Sequence, residues 1–120
     1  DWAAHAPVLI LVSVKLQLTR LGTVNRHAAY DAGQAVAFLT LQATSLELAV
    51  RQMEGFDRDR ARAECGVPAE YEPLVMMALG YAGDPDRLTV ERHRMAERQP
   101  RERSAIDQFV FDGVWGQTLV

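Results

Sequence analysis

Apolar and polar positions recur along this chain with two different periods, and the changes of period divide it into candidate elements. The run APVLILVSV, residues 6 to 14, is continuously apolar and rich in β-branched side chains. Such a run predicts a strand covered on both faces and placed centrally in its sheet. The stretch TRLGTVNR, residues 19 to 26, interrupts the pattern with Gly22 and Asn25. Asn25 is placed to accept from the first free N–H groups of a helix starting near Arg26. From there Ala28, Ala29, Ala32, Ala35, Val36, Leu39, Ala43 and Leu46 recur at three- and four-residue steps, lining one face of a helix of about five turns or more. Phe38 and Leu41 add bulk on other sides. A helix apolar over so much of its circumference is expected to be buried by more than one layer, and a second subunit can supply one of them.

The next segments are shorter. ELAVRQM, residues 47 to 53, carries a mixed pattern that suits a short strand. After Gly55 and Phe56, Asp57 is placed to cap a helix through RDRARAEC, which Gly66 and Pro68 end. EPLVMMALG predicts a second buried strand, Leu74 to Leu79, running into a turn rich in glycine and proline. Residues 87 to 103 alternate arginine and glutamate with few apolar anchors and read as an exposed segment. Ile106, Phe109 and Val110 stand at helical spacing, and the tail DGVWGQTLV holds two glycines and a tryptophan. Strands interleaved with helices indicate an α/β or α+β domain, although three strands are few for a self-sufficient sheet.

Composition narrows the class. With 120 residues, 48% of them hydrophobic, the chain is sized for one domain over residues 1–120. A net charge of -3 points neither to a nucleic-acid partner nor to a strongly acidic protein. Cys65 is the only cysteine, which excludes an internal disulfide and a cysteine-based zinc site. The apolar run at residues 6 to 14 is too short to span a bilayer and lacks the basic flank of a secretory signal. A reducing, cytoplasmic setting with no membrane partner is expected.

Candidate chemistry is sparse. His5, His27 and His93 are scattered, with no pair at the i, i+4 spacing of a helical metal motif. The carboxylate pairs Asp57/Asp59 and Asp84/Asp86 admit turn and helix-cap explanations as readily as acid–base work. Neither a G-x-S-x-G elbow nor a G-x-G-x-x-G or P-loop glycine run is present. Arg98, Arg101 and Arg103 form a cluster that reads either as a solvated face balanced by Glu97 and Glu102 or as a phosphate grip. In an extended segment the i, i+2 spacing of Arg101 and Arg103 turns both side chains the same way.

Taken in order, WAAHAPVLILV, NRHAAYDAGQAVAFLTLQATSL, the strand ending MEGFD, GVPAEYEPLVMMALGYAGDP and RERSAIDQFVFDGVWG resemble the nitroreductase family of flavin-dependent oxidoreductases. The resemblance implies an α+β, three-layer fold with a long central helix and a mixed sheet. It also implies a homodimer formed through the helix around residues 28–46, with FMN held at the interface. Hydride would pass from NAD(P)H by way of the flavin to a nitroaromatic, quinone or similar acceptor, with no catalytic side chain, since the cofactor carries the chemistry. By position, Glu54 and Gly55 match the residues whose backbone N–H groups face the flavin ring at N5 and O4. Arg101 and Arg103 match the basic pair at the FMN phosphate. A plain helix-entry turn stays open for Gly55.

Two departures from the family pattern stand out. Glu47 occupies a helix-to-strand turn where the family usually has glycine, so helix is expected to about Leu46 with Glu47 at the turn. The family's early Arg-Ser-x-Arg and Pro-Ser-x-x-Asn segments have no counterpart here, so the chain resembles the family's C-terminal part. Two functional expectations follow: an FMN-dependent oxidoreductase, which as this shorter chain can be inactive, or a non-enzymatic dimerising fragment with an incomplete flavin site.

Overall fold

A computed structural model describes residues 2–118. The chain divides into two compact units, one through Gly83 and the other from Asp84 onward. The first unit holds strand β1 (Val8–Lys15), helix α1 (Ala28–Ser45), strand β2 (Ala49–Met53), helix α2 (Arg58–Cys65) and strand β3 (Tyr71–Gly80). The second holds helix α3 (Glu91–Arg98) and short 3-10 turns at Pro85–Arg87 and Ile106–Gln108. The elements conform to an α+β arrangement.

The sheet of the first unit has the order β1-β3-β2, and both pairs are antiparallel. This corrects two sequence expectations. The apolar run at β1 forms an edge strand of this sheet rather than a central one, and Val8 and Leu9 stay exposed. Among the described strands the sheet is antiparallel rather than mixed. The reason is topological: α1 carries the chain back so that β2 runs in the same direction as β1 but one strand's width away. β3 fills the gap, antiparallel to both neighbours. The ladder register shifts between Val12 and Ser13, leaving Leu74 of β3 as an extra residue. Met77, in the middle of β3, is fully buried, as the central strand position requires.

Helix α1 presents Val36 and Ala43, both buried, to the sheet, and it contacts β1 and β2. Its far side is open: Phe38 is 71% exposed and Leu41 67%. The expected start is shifted. His27 is the N-cap residue and gives no side-chain cap, while Asn25 accepts from the His27 N–H at 3.3 Å and donates to the Lys15 carbonyl. Asn25 thus shapes the turn before the helix instead of capping it.

The helix ends bear out the expected punctuation. Asp57 accepts from the Arg60 N–H at 2.9 Å and caps α2, and Gly66 closes that helix at φ 61°. At the end of α1, the Leu48 N–H donates to the Ala43 carbonyl at 2.9 Å and the Glu47 N–H to Thr44 at 3.0 Å. These two bonds make a Schellman closure with Glu47 in the left-handed position, φ 60°. Glu47 is the one non-glycine residue with positive φ among those described. The segment read as merely exposed, residues 87 to 103, contains α3, a helix with no buried residue.

Candidate functional site

The turn leaving β2 is set by its two ends. Pairing with β3 runs to Met53↔Met76, and the Asp57 cap starts α2 four residues later. Between them the chain bends, and the Phe56 N–H folds back onto the Glu54 carbonyl at 2.8 Å. Among the turn and loop bonds of the described residues, none is donated by the Glu54 or Gly55 N–H. A Cβ built on Gly55 would meet nothing within 4 Å. Glu54 and Gly55 are both exposed, and their two adjacent N–H groups follow directly on the last paired residue of β2. The chemistry of two adjacent N–H donors suits a flat polar ring edge on which negative charge gathers. The Glu54 side chain turns outward, 88% exposed, and lies 3.9 Å from Arg58.

Arg101 and Arg103 lie in the second unit, in the non-helical stretch between α3 and the 3-10 turn at Ile106–Gln108. Both residues are exposed. Arg103 donates to the Glu102 carbonyl at 2.7 Å, and neither guanidinium enters a carboxylate pair among the described residues. Arg98 differs from them, since it is engaged by Asp86. The arginine cluster thus separates into one structural member and two with charge to offer an anion. The donor set suits a phosphate.

The remaining candidates resolve into structural roles. Asp57 and Asp84 both serve as caps, Asp84 accepting from the Asp86 N–H at 2.9 Å. No group of three or more His, Cys, Asp or Glu comes together among the described residues. Cys65 is exposed. No helix among the described residues is long and apolar enough to cross a membrane.

One groove escaped the sequence reading. It lies between α1 and the sheet, lined by Ala32, Gly33, Val36, Gln52, Leu74 and Val75, and its volume is about 220 Å³. That is below the ~300–1,000 Å³ of most small-molecule sites. No candidate site residue lines it. The small side chains Ala32 and Gly33 on α1 were the available signal.

Comparison with known proteins places these features in a family. A family model described as "Nitroreductase family" matches residues 1–81, a span that includes the Glu54–Gly55 turn and stops one residue after β3. A Mycolicibacterium smegmatis protein, "Uncharacterized 15.4 kDa protein in ask 5′ region", is 43% identical over 97 residues, covering 78% of this chain and 63% of its own. The chain thus spans under two thirds of that relative's length. Among solved structures, one described as an oxidoreductase containing FMN matches with a TM-score of 0.86 at 23% identity, over 98% of this chain and 60% of its own. A nitroreductase family protein from Clostridium difficile 630 matches with a TM-score of 0.64 at 25% identity, over 92% of this chain and 61% of its own. The antiparallel sheet and its helices therefore form part of a larger fold in both structures, and the chain belongs to the nitroreductase family.

Proposed function

We propose that the chain acts as, or within, an FMN-dependent oxidoreductase that works as a homodimer. The observation that carries this reading is the exposed Glu54–Gly55 turn, inside the family-matched span, whose two backbone N–H groups donate no turn or loop hydrogen bond among the described residues. When bound, FMN supplies hydride transfer from NAD(P)H to a nitroaromatic, quinone or similar small acceptor. The Glu54 and Gly55 N–H groups are the donors we assign to the ring edge where negative charge gathers on reduction. Arg101 and Arg103 are assigned to the phosphate, as charge-assisted donors. The exposed apolar side of α1, with Phe38 and Leu41, is assigned to the second subunit.

A second reading is a dimerising module that lacks flavin. The open side of α1 supports it equally, because that surface seeks a partner whether or not a cofactor binds. Absorbance titration of the purified chain with FMN, run beside size-exclusion chromatography, separates the two. The first reading expects a shifted, sharpened flavin band on a dimer-sized species, followed by NADH or NADPH oxidation when an acceptor is added. A dimer that leaves the flavin spectrum unchanged would favour the second.

A further inference from the structure

We propose that Glu72 of β3, acting through Arg58, is a positioning residue that holds the Glu54–Gly55 turn. The functional meaning of this inference rests on the flavin-binding reading above, whereas its geometry stands without it. Helix α2 carries Arg58 and Arg62 one turn apart, and both face the same carboxylate. Arg58 Nη1 lies 3.7 Å from Glu72 Oε1, and Arg62 Nη2 lies 3.3 Å from Glu72 Oε2. Arg62 is itself fixed, because its Nη1 donates to the Val67 carbonyl at 3.3 Å and to Pro68 at 2.8 Å. The other amino group of Arg58, Nη2, reaches back to Glu54 Oε1 at 3.9 Å.

Charges of alternating sign therefore run from the turn to the strand and on to the end of the helix, in the order Glu54, Arg58, Glu72, Arg62. Taken singly, such partly exposed pairs are weak. Their significance lies in what else restrains the turn. Ladder pairing with β3 stops at Met53, and the Asp57 cap belongs to α2. Between those points the backbone makes only the short Phe56-to-Glu54 bond. Besides the half-buried Phe56, the Glu54 side chain is the turn's link to the rest of the unit, and Glu72 anchors that link on the central strand.

The test uses the full chain carrying Glu72→Gln, Arg58→Ala, both together, or Arg58→Lys. Arg60→Ala is the control, because Arg60 pairs with Glu64 within α2. Backbone ¹⁵N relaxation is measured at Glu54, Gly55 and Phe56, and FMN affinity is measured beside it. In Glu72→Gln and Arg58→Ala the order parameters of those three amides should fall below those of the unmodified chain. FMN affinity should weaken about two- to fivefold, the range for loss of an exposed pair. The double variant should be no worse than either single one, since both break the same chain. Arg58→Lys should keep part of the restraint, and Arg60→Ala should change neither readout. Unchanged order parameters at the turn, with α2 alone loosened, would overturn the proposal and leave the arginines as helix-docking groups. If the unmodified chain does not bind FMN, the flavin reading falls, and the relaxation data alone decide whether the tether exists.

Discussion

Glu47 shows what one residue can reveal about local backbone. It sits at φ 60° in a closure that α2 makes with Gly66 at nearly the same angle, 61°. A side chain there carries a left-handed penalty that glycine avoids, partly offset by the larger entropy glycine loses on folding. Glu47→Gly should therefore raise stability by about 0.5–1 kcal/mol, read as a higher urea midpoint with an unchanged m-value. Gly55 presents the reverse case, a glycine whose missing side chain leaves open space. Gly55→Val should leave the fold intact and weaken FMN binding. An unchanged flavin titration would return Gly55 to the role of a plain turn. Arg101→Ala and Arg103→Ala should each weaken FMN binding by about 1–3 kcal/mol, the range for a lost charged hydrogen bond. Equal affinity in variant and parent would mark the pair as surface charge.

The helices and strands differ in how much of them could be read from sequence. Asp57 and Gly66 were legible because caps are local chemistry, settled within a few residues of the helix end, whereas the turn at Glu47 was expected from the family resemblance. The rank of β1 in the sheet was not legible, because a strand's neighbours are chosen by segments more than fifty residues away. Helix α3 was missed for a different reason. It has no buried face for apolar periodicity to report, and its visible sign was the Glu91–Arg94 spacing, an i, i+3 ion pair on one side of a helix. Glu54 and Gly55 were placed by family resemblance, since a backbone donor leaves no side-chain signature. On α1, the sheet covers Val36 and Ala43, and the far side is open within its own chain. Leu41→Glu should abolish self-association if that side meets a second subunit, with light scattering after size exclusion reporting the mass. A dimer that survives the substitution would place the interface elsewhere.

At the scale of the whole molecule, the family match and the compact units nearly coincide: the match ends at residue 81, and the first unit at Gly83. Glu54 and Gly55 fall inside that span and Arg101 and Arg103 beyond it, so the ring and phosphate assignments are tested by separate variants. The strand order has a consequence for how the protein is made. β1 and β2 leave the ribosome first, yet neither neighbours the other, and both wait for β3 to pass between them. Until about residue 80 has emerged, the apolar β1, the mixed β2 and a largely apolar helix have no ladder to join. Contacts of long sequence separation of this kind slow folding and prolong the exposure of sticky surface. The nascent chain should therefore depend on chaperones most strongly between the emergence of Val8 and that of Gly80, and lean on them less once β3 takes its place between β1 and β2.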